Sequence, residues 1–283
     1  MATNSVLNII TFILTTAFYY LMLKPTLTYD IMNNTEDYND YTRKYYKNLG
    51  VYLGLVLIVQ FIMNITIVTA KCGGSLKTNI LSAAAYTFFP WTLIFGVMMI
   101  VLVMYPGFKT AFSDVIGYFY VSGTANKLLT EILINKDIQQ EMDGSDATLK
   151  EKENLQNAAD AIIKICGNTS ILINQIVPSN FISYWSLLNP LMKQRFQGNS
   201  DETIDKRNKL FDLVVMRDTI GEMMWYLYTG ILLTSIVQMK ISTTPCYLSP
   251  KQMEQNYQEF LKKEDATEAK TAAAESTIYT ITN

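Results

Sequence analysis

The sequence contains no histidine, and this absence limits the chemistry available to the protein. A Ser-His-Asp triad, a Cys-His dyad, a histidine-ligated metal and an imidazole proton relay are all excluded within this chain. There is also no Gly-rich phosphate loop and no set of carboxylates with metal-ligand spacing. Spacing alone does not exclude an enzyme that uses only Asp, Glu, Lys, Tyr or Cys, although no cluster of these residues points to a site. We therefore predict a protein that is not an enzyme, with no catalytic residues, cofactor or metal.

Charged residues and cysteines are also scarce. Lys and Arg number 23 and Asp and Glu number 25, so the net charge of −2 provides no polycationic surface for nucleic acid. The three cysteines, Cys72, Cys166 and Cys246, have neither the spacing of a zinc knuckle nor the density of a disulfide framework. We expect them to be buried free thiols.

The shortage of charge is concentrated in four uncharged runs, residues 1–23, 48–70, 78–108 and 223–239. A bilayer core of about 30 Å is crossed by about 20 apolar residues in a helix. We therefore predict an all-α fold, a polytopic helical membrane protein with about four spans and a helical soluble domain between spans 3 and 4. The spans are predicted near residues 6–23, 51–70, 86–105 and 223–239.

Two of these spans have an alternative interpretation. The first run could be a signal peptide, but it lacks a basic leading region and a small-residue cleavage site, so we interpret it as a retained span. The fourth run has 17 uncharged residues, which at helical rise is about 26 Å and marginal for a bilayer. A buried helix of the soluble part is the alternative for that run.

Gln60 and Asn64 are polar residues inside the second span. They are four residues apart and therefore lie on one face of a helix. Amides in this position can hydrogen-bond a neighbouring span, with a contribution of about 0.6–2 kcal/mol. We predict that both are interhelical contacts. The alternative is a polar path through a channel or small-solute carrier, lined also by Thr66 and Thr69. No ionisable residue falls inside a span, which argues against ion-coupled transport.

The predicted spans divide the chain into four regions. Residues 1–108 form a membrane region with three spans, 109–222 a membrane-proximal helical domain, 223–239 the fourth span, and 240–283 a short helix with a mobile tail. In this topology residues 24–48 share one side with 109–222, and the lysines and arginine of that first loop favour a cytoplasmic location. Glycosylation of the sequon at Asn33 or Asn168 would reverse the orientation.

The other side of the bilayer then carries the N-terminus, the loop 71–77 and the tail. Because Cys72 and Cys246 both fall there, a bridge between them is the alternative to free thiols.

Helix start signals divide the soluble segments further. Ser113 is predicted to cap a helix that begins at Asp114, and the capping box at residues 148–151 begins another that stops at Gly167. A helix is predicted to run without a break from about residue 201 to residue 239. In the tail, the Ser-Pro pair at residues 249–250 predicts a helix to about residue 263.

An aromatic pattern containing Pro-Gly surrounds the end of the third span. Its segments are Phe89-Pro90-Trp91, Phe95-Gly96, Tyr105-Pro106-Gly107-Phe108-Lys109 and Phe112-Ser113-Asp114-Val115-Ile116-Gly117-Tyr118. The pattern covers about residues 88–135. It resembles the multispanning membrane and minor capsid proteins of nucleocytoplasmic large DNA viruses, including giant and algal viruses.

The resemblance implies a structural virion protein, located as a multi-pass protein in the viral inner membrane or the host-derived membrane. Such a protein links the bilayer to the icosahedral capsid and supports assembly. Its partners would be the lipid bilayer, other viral capsid or membrane proteins, and further copies of the chain. The implied interaction residues are Pro90, Trp91, Pro106, Gly107, Phe108, Phe112, Asp114 and Tyr118.

Overall fold

The computed structural model describes residues 2–73, 76–133, 169–246 and 250–278. Within these ranges every regular element is a helix, which confirms the predicted all-α class, and one isolated bridge pairs Leu133 with Met192. The α-helices in chain order are α1 (Ala2–Phe18), α2 (Tyr29–Asn33), α3 (Thr35–Cys72), α4 (Leu76–Pro90), α5 (Val97–Met104), α6 (Thr110–Phe112), α7 (Tyr118–Ile132), α8 (Thr169–Gln175), α9 (Phe181–Leu188), α10 (Asp201–Thr243) and α11 (Pro250–Ile278).

Shorter helical turns connect several of these elements. Segments of π-helix follow α1, α4 and α6, and turns of 3-10 helix lie between α5 and α6 and around α9. The π-helical segments are Tyr19–Leu23, Trp91–Gly96 and Ser113–Gly117, and the 3-10 turns are Pro106–Lys109, Pro178–Asn180, Asn189–Leu191 and Gln194–Phe196. Pro90 removes one backbone donor, and the wider π turn that follows it lets the helix continue into α5.

Within the ranges given above, four helical stretches are long and apolar enough to cross a membrane. They are Val6–Leu23, Thr35–Cys72, Leu76–Met104 and Asp201–Thr243. All four predicted spans lie within or largely within them, so the structure has the helices of a multi-pass membrane protein. The predicted unbroken helix is also confirmed, because α10 has 43 residues and a length of about 65 Å.

The chain packs into two compact units. Unit 1 consists of Met1–Thr15, Gly54–Ile94 and Ile231–Asn283, and unit 2 consists of Thr16–Leu53 and Phe95–Gly230. These units group residues by their packing and not by their relation to a bilayer. The division with boundaries after residues 108, 222 and 239 therefore stays a prediction.

Unit 2 contains a continuous hydrophobic core. Leu128, Leu129 and Ile132, which share one face of α7, are buried there against α8, α9 and the first half of α10. Trp185 of α9 packs against the same core and stacks on Phe181 with ring centroids 6.2 Å apart. The core of unit 2 is therefore built from apolar residues that recur at helical spacing.

The start of the helical segment after the third span differs from the prediction. Ser113 has helical backbone angles and caps nothing, so the prediction that it caps a helix beginning at Asp114 is wrong. Tyr105 leaves helical geometry and Pro106 then begins the 3-10 turn. Proline is well suited to this first position because its φ is already fixed near the helical value. Helical turns therefore continue through Ser113 from Pro106 onward.

The C-terminal helix also differs from the prediction. α11 continues to Ile278, whereas the sequence pattern placed its end near residue 263 and a mobile tail after it. The added residues are mostly Ala, Glu, Lys and Thr, and the first three are strong helix formers. The predicted caps at residues 148–151 and at Ser249, the helix to Gly167, Cys166 and the sequon at Asn168 lie outside the described residues.

Candidate functional site

The candidate site is a buried ionic cluster in unit 2 centred on Glu222 of α10. The Glu222 side chain is only 1% exposed, and two lysines contact it. Lys24 Nζ lies 3.0 Å from Glu222 Oε1, and Lys109 Nζ lies 3.0 Å from Glu222 Oε2. Lys24 directly follows the π-helical segment after α1, and Lys109 ends the 3-10 turn after α5. The ends of the first and third spans therefore meet at one carboxylate of α10.

Two tyrosine hydroxyls complete the shell of Glu222. Tyr20 donates to Glu222 Oε1 and Tyr45 donates to Glu222 Oε2, each over 3.0 Å. Each carboxylate oxygen thus accepts one bond from a lysine and one from a tyrosine. Burying an ion costs several kcal/mol, and only a full set of partners of this kind offsets that cost.

The neighbouring turn of α10 extends the cluster. Asp218 accepts a hydrogen bond of 2.9 Å from Lys109, and Thr219 Oγ1 accepts one of 3.3 Å from Lys24. Asp218 and Thr219 lie four and three residues before Glu222, which is about one helical turn. Their acceptors therefore lie on the same side of α10 as the Glu222 carboxylate. The cluster therefore contains two lysines and two carboxylates in direct contact.

Lys109 remains charged in this setting. Burial disfavours its charged form, but the carboxylates of Glu222 and Asp218 outweigh that effect and raise the pKa of Lys109 above its ordinary value. No group in the cluster is left as a free base or nucleophile. Chemically the arrangement holds four chain segments together, since its members come from the end of the first span, from α3, from the turn after α5 and from α10.

A cavity of about 610 Å³ adjoins the cluster within unit 2. Its charged lining residues are Lys24, Lys109, Asp218 and Glu222. The remaining lining is mostly apolar and aromatic, with a row of tyrosines from α3 and the apolar side chains of α5. The volume is in the range of pockets that hold a small molecule.

Arg217, the residue before Asp218, makes a second buried contact. It is fully buried and donates to the carbonyls of Ile173 and Ile176 and to the side chain of Asn174. The side chain of Asp114 lies 3.8 Å away. This guanidinium therefore attaches α8 and the connection after it to α10.

Two glycines allow α10 to approach the helical turns after the third span. A Cβ on Gly221 would lie 2.7 Å from Ser113 Cβ and 2.9 Å from the carbonyl oxygen of Lys109. A Cβ on Gly117 would lie 2.6 Å from the carbonyl oxygen of Arg217. Each distance is too short for a real side-chain carbon, so both positions require glycine for this backbone contact.

Several residues that the sequence predicted as an interaction surface lie in unit 2. Phe112 packs its ring edge on Trp225 at 5.0 Å, and Trp225 Nε1 donates to the carbonyl of Phe108 over 2.7 Å. Pro106 and Gly107 line the cavity. Tyr118 is half-buried against the hydrophobic core, and Asp114 is half-buried beside Arg217 as described above.

The remaining predicted residues lie in unit 1. Trp91 is fully buried and packs on Phe12 at 5.4 Å, while Pro90 ends α4 and is half-buried. Asn64 of α3 accepts a hydrogen bond of 3.4 Å from Asn8 of α1 and donates one of 2.9 Å to Thr87 of α4. The structure therefore brings together the predicted residues after position 105 but groups Pro90 and Trp91 with a different set of helices.

Gln60 behaves differently from Asn64. Its side chain is 1% exposed, and neither its amide nitrogen nor its carbonyl oxygen has a hydrogen-bond partner among the described residues. Within the described part of unit 1, Asn64 thus connects α3 to both α1 and α4, whereas the buried amide of Gln60 has no partner.

A disulfide in unit 1 corrects the expectation of free thiols. Cys72 at the end of α3 is bonded to Cys246, which follows α10, with Cα atoms 5.3 Å apart. The adjacent Lys71 donates to the carbonyls of Ile241 and Ser242 over 2.7 and 2.8 Å, and to that of Thr244. A cation at this place satisfies carbonyls that the end of a helix leaves unpaired. The C-termini of α3 and α10 are therefore joined covalently and by hydrogen bonds.

The members of the Glu222 cluster were not predicted as site residues. In the sequence, Lys24 directly follows the predicted first span and Glu222 directly precedes the predicted fourth, but no motif connects them. A useful indication was available, because alternating spans place the end of the first span, the end of the third and the start of the fourth at one surface. Opposite charges at those three points, Lys24, Lys109 and Glu222, could have been paired on that basis.

Comparison of the chain with protein-family models, curated proteins and solved structures gives no match. The fold therefore defines the class directly: in the described residues the protein is all-α, with four helices long and apolar enough to cross a membrane.

Proposed function

We propose that the protein is a structural membrane protein that holds a fixed position in a bilayer and presents an interaction surface, and that it does not turn over a substrate. The observation that carries the proposal is the complete satisfaction of Glu222 by two lysines and two tyrosines. A catalytic carboxylate needs an oxygen that is free to act on a reactant, whereas both oxygens of this one are bonded to partners that fasten helices together.

The more specific proposal is a component of a virion inner membrane that links the bilayer to an icosahedral capsid. Its support is the resemblance of residues 88–135 to membrane and minor capsid proteins of large DNA viruses. The same region carries exposed apolar side chains on successive turns, since Phe119 is 84% exposed, Tyr120 69% and Val115 66%. Exposed apolar side chains grouped in this way are typical of surfaces that contact a partner or a lipid.

Fractionation of assembled particles tests this proposal. After a mild detergent wash that removes lipid, the wild-type chain should stay with the capsid, and crosslinks from it should reach a capsid protein. Replacing Phe119 and Tyr120 by Ser should release the chain, whereas Met253→Ser on α11 should not. Complete release of the wild-type chain together with the lipid would exclude a capsid link.

A channel or small-solute carrier is the second candidate, and the buried amide of Gln60 is the observation that favours it. A polar group without a partner inside a bundle of spans costs about 1–3 kcal/mol, and a polar path is one reason to retain it. Liposomes containing the purified chain would then show selective flux that Gln60→Leu and Asn64→Leu both abolish. Flux at the level of protein-free liposomes removes this candidate.

A further inference from the structure

The cavity beside Glu222 has no role in fastening the helices, because the ion pairs form without filling it. Its lining comes from the end of the first span and the loop after it, the start of α3, the end of α5 and the turns that follow it, the 3-10 turn before α9, and the part of α10 that precedes the predicted fourth span. In a membrane protein these positions lie at the level of the lipid headgroups, where tyrosines are enriched. The place of the cavity therefore favours a ligand that comes from the bilayer.

The charges in the cavity exclude a charged ligand. Lys24 is paired with Glu222, and Lys109 with both Asp218 and Glu222, at 2.9–3.0 Å. The two lysines and two carboxylates sum to zero. An anionic or cationic group entering this space would lose its hydration without gaining an unpaired counter-charge, and that loss is large in a buried site. The polar part of the cavity therefore suits an uncharged head.

The aromatic wall suits an apolar body. Tyr38, Tyr41 and Tyr45 lie on successive turns of α3, and their rings stack with centroids 6.2 Å apart in each neighbouring pair. The lining also contains the apolar side chains of Leu102 and Val103. Tyrosine offers a flat apolar face together with a hydroxyl that can exchange hydrogen bonds with a hydroxyl or carbonyl group.

We propose that this cavity binds one uncharged amphiphile from the bilayer, with a hydroxyl head near Lys109 and Glu222 and an apolar body along the tyrosine row. Sterols and diacylglycerols share this chemistry. The inference does not depend on the proposed function, because a lipid site of this kind could occur in a structural protein or in a channel.

Photolabelling of the full-length chain in phosphatidylcholine vesicles tests the proposal. One arm uses a diazirine sterol and a second a diazirine diacylglycerol, and the arm that labels identifies the source. We expect saturable labelling of a peptide containing Tyr38–Tyr46 or Leu102–Lys109, with competition by the unlabelled form of the same lipid and none by phosphatidylserine. Unsaturable labelling, or equal competition by phosphatidylserine, overturns the proposal.

Two cavity variants and one control variant locate the site. Val103→Trp places an indole in the cavity and should reduce labelling by about tenfold or more. Val101→Trp makes the same change on the same helix outside the lining and should leave labelling unchanged. The gel-filtration profile of each variant shows whether it is folded. If Val103→Trp disturbs folding, Thr42→Trp repeats the test at a lining position on α3. Labelling that survives both cavity variants in folded protein contradicts the assignment.

Discussion

Glu222 shows how a single buried carboxylate can be tolerated beside a membrane span. Its charge is opposed by Lys24 and Lys109, and its four principal hydrogen bonds come from those lysines and from Tyr20 and Tyr45. Removing one member leaves the others buried and unpaired, which is costlier than removing the whole set. The stability of this region therefore depends on the completeness of the cluster more than on any one bond.

Replacing Glu222 by Leu should lower the free energy of unfolding by about 3–5 kcal/mol, because both lysines then remain buried without their shared counter-charge. Chemical unfolding in detergent micelles, followed by tryptophan fluorescence, measures the change. Glu202→Gln on the same helix is the control, since Glu202 is exposed and such surface changes usually alter stability by no more than about 0.5 kcal/mol. A loss below 1 kcal/mol for the Glu222 variant, on the order of a surface salt bridge, would contradict a buried cluster.

The raised pKa of Lys109 predicts how stability changes in alkali. A lysine whose folded-state pKa is raised contributes fully at pH values below its unfolded pKa, about 10.4, and its contribution is lost as the pH rises through the higher folded value. The stability difference between the wild type and Lys109→Met should therefore stay constant from neutral pH to about pH 9. It should narrow only in stronger alkali. Thermal unfolding of both proteins across this range is the measurement, and narrowing already near pH 8 would show that Lys109 is not held by carboxylates.

At the scale of helices, close backbone contact determines where α10 meets the turns after the third span. Gly117 and Gly221 each leave room for a backbone atom of the other segment. Neither glycine is distinguished in the sequence from those on open faces, such as Gly50, where an added Cβ would meet nothing within 4 Å. Only the structure separates a required glycine from a tolerated one.

Gly221→Ala should destabilise the protein by about 1–3 kcal/mol, because the added carbon overlaps Ser113 and the carbonyl of Lys109. Gly50→Ala, also in unit 2, should be neutral or slightly stabilising, since alanine restricts the unfolded chain and clashes with nothing. Melting temperatures of the two variants in the same detergent give the comparison. Equal melting temperatures would mean that the helices do not approach closely at Gly221.

The helices themselves could be predicted from sequence to a greater extent than the site. Long uncharged runs show the spans directly, because partitioning into lipid depends on local composition. The apolar face of α7 can be predicted as well, because the helical spacing of its apolar residues is a property of the local sequence. The partners of Glu222 could not be read in this way, since Tyr45, Lys24 and Tyr20 are 177 to 202 residues distant in the chain. A cap at Ser113 was wrongly predicted because a cap depends on backbone angles, and the helical turns that begin at Pro106 give Ser113 helical angles.

For the whole chain, each unit joins segments that the predicted topology assigns to one side of a bilayer. In unit 2 the Glu222 cluster joins the loop 24–48 to residues 109–222, and in unit 1 the disulfide joins the loop 71–77 to the tail. Disulfides persist mainly in oxidising compartments. A lumenal or external location of the loop 71–77 and the tail is therefore a prediction, as is the cytoplasmic location of residues 24–48 from their positive charge.

Thiol labelling of the intact chain checks the bridge. Maleimide applied to the denatured, unreduced protein should add one label, because two of the three cysteines are bonded to each other. Prior reduction should raise the count to three. Three labels without reduction would show that Cys72 and Cys246 are free thiols in the isolated protein.

The bond between Cys72 and Cys246 closes a loop between two cysteines whose positions differ by 174, and this closed loop contains the third and fourth spans. A protease that cuts once anywhere inside the loop leaves both fragments covalently attached, so a nicked molecule keeps its full mass until the bond is reduced. A single cut detaches a piece only when it lies before Cys72 or after Cys246. Damage to the soluble segments between the third and fourth spans would therefore leave each of the four spans on the same covalent molecule.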